Sequence, residues 1–236
     1  MSNFLIMMMG GSGTRLGADR PKQYIEIEGK PVFLYIVEGY GKKEYIDEIV
    51  IVSHQDWVED VKTWMAGLKL EKPYKVVAGG ETRSHSVKNG LNAIKDEAKE
   101  DDVVLFHDAT HPYVDDEATK AVIEAIKEYG GGTLGTFQYD TVYRMDENGF
   151  IDSVIPRQEV VAGASPEGFT FGRIFPVYDN ATDDELGSMT SAGAIAREYG
   201  IPMKAVKTDV INLKITYPGD LEIFKKLVKK YFFEEA

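Results

Sequence analysis

The chain has 236 residues, 43% of them hydrophobic, with 27 basic and 39 acidic side chains, a formal net charge of −12 and no cysteine. That length suits one large domain with a substantial core, and the acidic balance argues against a general nucleic-acid surface, which needs a basic face. Without cysteine there is no disulfide framework, thiolate metal site or cysteine nucleophile, which fits a reducing compartment such as the cytoplasm.

In chain order, FLIMMM (4–9) reads as a buried parallel strand. The apolar start is short, lacks a basic flank and runs into glycines, so neither a signal peptide nor a membrane span is expected. Residues 10–24, GGSGTRLGADRPKQY, form a loop. Pro31 starts a helix running to Gly41. IDEIVIVS (46–53) is a second strand, and 55–67 a helix with Val58, Val61 and Met65 on one face. YKVVAGG is a third strand, followed by a helix over 84–100 with Val87, Leu91 and Ile94 aligned. DVVLFHDATHPYV begins as a fourth strand and ends in a polar loop; 115–129 is helical, and GGTLGTFQ is another strand. Over 138–160 the rhythm breaks into β-branched alternation around Glu147-Asn148-Gly149, a hairpin signal. Helical text resumes at 187–200, MKAVKTD is a short strand, and Pro218 opens a closing helix. Strand–helix alternation with short connections predicts a three-layer α/β/α, mostly parallel, Rossmann-like nucleotide-binding sheet. The expectation is one domain, 1–236, with 138–160 inserted as a β-arm that contacts a second subunit.

Glycines in the opening loop let backbone N–H groups approach phosphate oxygens. No Gly-Lys-Ser/Thr follows, so it is not a Walker loop, and Gly11, Gly13 and Gly17 miss the dinucleotide spacing by one. Arg15 and Lys22 together suit a triphosphate losing pyrophosphate, where charge builds on transferring and leaving oxygens; a tight turn with solvated cations is the plainer reading. The second Gly-rich loop, GGETRSHSVKNG (79–90), reads as a base-recognition loop with Arg83 and Ser86 before a helix N-terminus, or as an ordinary turn capped by Ser84. Asp108 of HDATHP points into the crevice beyond the strand, where it holds Mg²⁺ through water or orients a hydroxyl, or else caps a polar turn. His107 and His111 lack the Glu of a zinc helix. Lys214 lies in a strand-like run between Leu213 and Ile215, either snorkelling or reaching a ligand phosphate.

Taken together, these pieces resemble the cytidylyltransferase family that makes CDP-methylerythritol and CDP-ribitol. The matching residues are Gly11-Ser12-Gly13-Thr14-Arg15, Pro21-Lys22-Gln23, Gly79 to Ser86, His107 to Pro112, Asp140-Thr141, Thr182-Asp183 and Asn212 to Thr216, in order over nearly the whole chain. The resemblance implies that the phosphate of a sugar or polyol phosphate attacks the α-phosphorus of CTP, with a divalent cation such as Mg²⁺ required. It implies Arg15, Lys22, Asp108 and Lys214 as catalytic residues and Gly10, Gly11, Gly13, Thr14, Gly80, Arg83 and Ser86 as the CTP site, with Gly80 and Ser86 on cytosine. Asp108, His111, Arg157, Thr182 and Lys214 would face the acceptor, Arg157 being lent across a homodimer.

Three places depart from the family pattern. Met9-Gly10 replace a pair of alanines, which should affect only packing. His111 stands where the family has Arg, and ASPEGF (164–169) where it has Gln-Thr-Pro-Gln-x-Phe. A guanidinium forks to two oxygens where an imidazole offers fewer donors, and Glu167 adds negative charge on the acceptor side. An ordinary imidazole pKa of about 6.5 would add a pH dependence at His111. Trp57 and Gly163 tilt the resemblance toward ribitol phosphate, with methylerythritol phosphate next. A nicotinamide oxidoreductase lacks the acidic residue that should end its second strand. An inactive nucleotide-binding homologue would not need Arg15, Lys22, Asp108 and Lys214.

Overall fold

Strand β1 (Asn3–Met9) is buried along its whole length and divides its side chains between two cores. Phe4, Ile6 and Met8 face one side, Leu5, Met7 and Met9 the other, as the two-residue period of a strand requires. The computed structural model describes residues 1–11, 20–189, 191–209 and 211–232. After β1 come the short pair β2 (Glu26–Ile27) and β3 (Lys30–Pro31), helix α1 (Val32–Gly41), β4 (Glu48–Ser53), α2 (Val58–Gly67), β5 (Tyr74–Ala78), α3 (Arg83–Asn92) and β6 (Val103–Asp108). Then follow α4 (Asp116–Tyr129), β7 (Gly131–Phe137), β8 (Val142–Met145), β9 (Ile151–Ile155), β10 (Val161–Thr170), α5 (Phe171–Asn180), α6 (Asp183–Ser188), α7 (Ala192–Glu198), β11 (Lys204–Lys207) and α8 (Pro218–Phe232).

The main sheet has seven strands in the order β11-β7-β10-β6-β1-β4-β5. Neighbours pair in parallel except at β10, which runs antiparallel between β6 and β7. Helices α3, α5, α6 and α7 cover the Ile6 face, and α1, α2 and α4 the Leu5 face, giving the expected three layers. Each fully buried Ile or Leu contributes about 1.5–3 kcal/mol over its exposed form. A third cluster packs α8 through Phe224 and Val228 against Tyr35 and Ile215.

Local signals explain most boundaries. Asp115 accepts from the Ala118 N–H at 2.8 Å to cap α4, and Gly130 ends that helix at φ +94°. The cap of α3 is Thr82, whose side chain accepts from His85 N–H; Ser84, expected to cap, instead donates to the Met189 carbonyl at 3.1 Å. That helix ends at Asn92 rather than running to 100. The helical stretch expected over 187–200 is two helices, α6 and α7, separated around Met189. Leu213-Lys214-Ile215 is not a strand. Strand β10 and helix α5, with Pro176 inside it, were not among the elements expected above. Over 138–160, β8 and β9 pair antiparallel as a separate two-stranded sheet, with Gly149 at φ +86° in the turn.

Candidate active site

The parallel strands β1, β4 and β6 end together, and the cleft opens beyond their carboxyl ends, where open α/β sheets hold ligands. Its volume is about 630 Å³, and its lining includes Gly10, Gly11, Lys22, Gly80, Arg83, Ser86, Asp108, His111, Glu167 and Lys214. The ends of β1, β5 and β6, the turn at Lys22–Tyr24, the start of α3, the middle of β10 and the stretch before α8 supply these residues.

On one side the backbone is closely packed around Ser86. Its Oγ accepts from Gly80 N–H at 3.1 Å. A Cβ on Gly79 would stand 2.8 Å from that oxygen and 3.1 Å from the Ser53 carbonyl, and a Cβ on Gly10 also 2.8 Å from Ser86 Oγ. Both positions therefore need glycine for close approach of two loops rather than for a special φ. Gln23 is buried and donates through Nε2 to the carbonyls of Met9 at 2.7 Å and Gly11 at 2.8 Å, tying the short helical turn at Lys22–Tyr24 to the end of β1. Gly13, Thr14 and Arg15 lie outside the described residues.

Charged side chains gather on the opposite wall. Lys214 Nζ donates to Asp108 Oδ2 at 2.6 Å; Arg83 donates to Glu167 Oε1 at 2.8 Å and stands 3.8 Å from Asp108 Oδ1. Burial opposes ionisation of Asp108, but Lys214 and Arg83 outweigh it and hold its carboxyl down at about 2. For Glu167 burial pushes the pKa up against the pull of Arg83. Lys214 thus reaches into the cleft, carried there because Ile215 N–H donates to the Thr110 carbonyl at 2.9 Å and its side chain enters the α8 cluster.

Both histidines are structural in their bonding. His107 Nε2 donates to the His111 carbonyl at 2.8 Å, so Nδ1 accepts from the Tyr40 hydroxyl at 3.0 Å. Burial lowers its pKa to about 4. His111 lies 2.8 Å through Nδ1 from Ser165 Oγ, and burial, then neighbouring His107, push it down to about 3. The titration expected of His111 near 6.5 is therefore displaced well into the acid range.

Two sequence candidates stand apart from the cleft lining. Thr182 caps α6 in a reciprocal box with Glu185, and Arg157 sits beyond β9, donating to the Tyr139 carbonyl at 2.6 Å. Trp57 stacks on Tyr24 and Trp64 behind the loop, so its packing role explains it without a ligand. Ser165 was not anticipated; a bulge in β10 between Ala164 and Glu167 re-aims it, and no bulge is legible where no strand is expected. Among the described residues no three His, Asp or Glu side chains gather as a metal cage.

A mostly parallel sheet with a glycine-bordered, charged cleft beyond its strand ends is the arrangement of a nucleotidyltransferase. The model of the IspD family, 2-C-methyl-D-erythritol 4-phosphate cytidylyltransferase, matches residues 4–230. A ribitol-5-phosphate cytidylyltransferase of Streptococcus agalactiae serotype V is 30% identical, covering 96% of this chain and 95% of its own. A 2-C-methyl-D-erythritol 4-phosphate cytidylyltransferase of Clostridium botulinum is 32% identical, covering 95% of this chain and 98% of its own. Among solved structures, the Francisella tularensis enzyme of that second name superposes with TM-score 0.75 at 27% identity, covering 94% of this chain and 98% of its own. The 4-diphosphocytidyl-2C-methyl-D-erythritol synthase of Anaerococcus prevotii shares the fold at TM-score 0.81 and 24% identity, covering 97% and 96%. The chain belongs to the IspD family and is a cytidylyltransferase that uses CTP.

Proposed function

We propose that the enzyme transfers the cytidylyl group of CTP to a linear polyol phosphate, ribitol 5-phosphate before 2-C-methyl-D-erythritol 4-phosphate. The observation that supports this reading is the concentration of polar side chains on one wall, Asp108, His111, Ser165, Glu167 and Lys214, which offers several partners to hydroxyls. Relatives of about 30% identity carry both names, so the wall and not the similarity makes the choice.

In the reaction an acceptor phosphate oxygen bonds to the α-phosphorus of CTP as the bond to the β-phosphate oxygen breaks, and pyrophosphate leaves with the electron pair. Lys22 and Arg15 stabilise charge on the transferring and leaving oxygens. Gly10, Gly11, Gly13 and Thr14 cradle the triphosphate; Gly80 and Ser86 read cytosine through backbone and a small hydroxyl, and Arg83 braces that loop. Asp108 and Lys214 orient the acceptor, with His111 beside them. Thr182, which caps α6 outside the cleft lining, is in this reading an acceptor contact. Mg²⁺ would enter with the triphosphate and help neutralise its charge, and Asp108 at the end of β6 would be the residue to hold it, through water.

The β8–β9 arm is the proposed dimer contact, an appendage of one domain spanning 1–236. Met145 is 68% exposed and Phe150 72%, with Ile151 and Val154 also open, more apolar surface than so small a sheet leaves in water without a partner. A second chain packed there brings Arg157 to its neighbour's acceptor phosphate. No helix among the described residues is long and apolar enough to cross a membrane, and a cytoplasmic enzyme with no nucleic-acid partner fits the composition. Retention of Lys22, Asp108 and Lys214 in one cleft speaks against an inactive homologue.

A panel of acceptor phosphates with CTP and Mg²⁺, scored by pyrophosphate release, tests the reading. Product from ribitol 5-phosphate supports it. Release from no polyol phosphate overturns it, as does equal use of ATP or GTP.

A further inference from the structure

Ser165 belongs to neither the glycine cradle nor the charged pairs, yet it touches two residues of the acceptor wall. The bulge in β10 leaves Ser165 and Pro166 without partners on β7; Glu167 resumes that ladder opposite Thr133 and begins the one with β6 opposite Phe106. Ser165 Oγ thereby reaches Asp108 N at 3.2 Å and His111 Nδ1 at 2.8 Å. Asp108 N–H can only donate, so Oγ accepts there. Among the described residues its one hydrogen then has a single acceptor within hydrogen-bond distance, Nδ1 of His111. With Nδ1–H donating instead, Oγ would accept twice and its hydrogen would have only cleft water to bond.

Resting on the polyol-phosphate reading above, we propose that Ser165 is a positioning residue that fixes His111 as an Nε2–H donor, and that this donor and the second carboxylate oxygen of Glu167 together read secondary hydroxyls of the acceptor. Nε2 of His111 and Oε2 of Glu167 have no hydrogen-bond partner among the described residues, and both side chains line the cleft. A carbinol hydroxyl both donates and accepts, so a fixed donor beside a fixed acceptor matches adjacent hydroxyls and not a hydroxyl beside a methyl. Residues 165 and 167 flank the bulge and both line the cleft. The imidazole serves as a donor at neutral pH without ionising, because its pKa is about 3.

Nitrogen-15 NMR of histidine-labelled protein at pH 7 tests the tautomer without any substrate. The wild type should show His111 as Nε2–H, and Ser165→Ala should admit the Nδ1–H form. Ser165→Thr, which keeps the hydroxyl, should retain the wild-type signature. An Nδ1–H or doubly protonated His111 in the wild type overturns the proposal. The second arm measures kcat/KM for ribitol 5-phosphate and its monodeoxy analogues. Wild type should discriminate against at least one analogue by about ten- to a hundredfold, Ser165→Ala by about threefold or less, with KM for CTP unchanged in both. Undiminished discrimination in Ser165→Ala overturns the proposal. If wild type turns over no polyol phosphate, the acceptor reading fails and the reading of hydroxyls fails with it, while the NMR arm still decides what Ser165 does to His111.

Discussion

Lys214 Nζ stands 2.6 Å from Asp108 Oδ2, joining the segment before α8 to the end of β6 across 106 residues of sequence. The contact ties the ionisation of Asp108 to the charge on Lys214. Replacing Lys214 with Ala should raise the Asp108 pKa from about 2 toward the ordinary carboxylate range, since Lys214 is the foremost cation opposing its burial. Loss of a charge-assisted bond of about 1.5–3 kcal/mol should lower kcat/KM for the acceptor about 10- to 150-fold. Carbon-13 titration of Asp108 and steady-state kinetics check the two effects; an unchanged Asp108 titration would show that the pair is not coupled in solution.

Gln23 is the second target. It holds the Met9 and Gly11 carbonyls with one amide, in the turn that also carries Lys22. Gln23→Ala leaves both carbonyls without that donor, at about 1–3 kcal/mol for each one that water cannot reach. The expected result is a lower midpoint in thermal unfolding and a fall in kcat larger than the rise in KM for CTP, because placement of Lys22 matters most in the transition state. Gln23→Glu should be worse, since a carboxylate faces two carbonyl oxygens. Wild-type kcat in either variant would count against a positioning role.

Acid should destabilise the fold earlier than carboxylates alone would cause. His107 and His111 are lowered to about 4 and about 3, below the ordinary histidine value. Between about pH 6.5 and 4 the unfolded chain binds protons that the folded chain refuses, so stability falls as pH falls through that window, by up to about 2.7 kcal/mol per pH unit for two groups. Below the folded values the loss levels off. Asp108 adds a further loss only below pH 4, as the medium approaches its folded value of about 2. Urea unfolding at pH 7, 6 and 5 checks the slope; His107→Gln should remove about half of it. A flat profile from pH 7 to 5 would mean the imidazoles are not held neutral.

The arm offers a complementation test. Arg157 lies outside the cleft of its own chain, at the base of the β8–β9 arm, where it donates to the Tyr139 carbonyl. If it acts on a second chain, mixing Arg157→Ala with Lys22→Ala protein should restore one intact site per mixed dimer, about a quarter of wild-type activity when chains assort at random. Light scattering should give a dimer at assay concentration. A monomer with full activity would remove both the interface and the shared site.

Much of this site is legible in the sequence because its parts are local. Glycine pairs after strands, Pro-Lys-Gln, and the Asp at the end of HDATHP each follow a strand that its own periodicity reveals. Thr182 and Lys214 were harder: one caps a helix where a ligand contact was expected, and the other reaches the cleft from irregular backbone rather than from a strand. Strand β10 was missed because glycines, alanines and an internal proline dilute its alternation; what makes it a strand is pairing on both edges with β6 and β7. Its two cleft residues, Ser165 and Glu167, depend on that pairing, so the Arg83–Glu167 bridge could not be read from residue spacing. The neutrality of His111 likewise comes from burial that only the assembled wall creates.

The most direct measurement is the ratio of kcat/KM for ribitol 5-phosphate to that for 2-C-methyl-D-erythritol 4-phosphate, at saturating CTP with Mg²⁺. A wall of Asp108, His111, Ser165, Glu167 and Lys214 should favour ribitol 5-phosphate by about tenfold or more, the equivalent of about one good hydrogen bond. A ratio favouring the methylerythritol phosphate by about tenfold would contradict the acceptor assignment and leave the cytidylyltransferase standing.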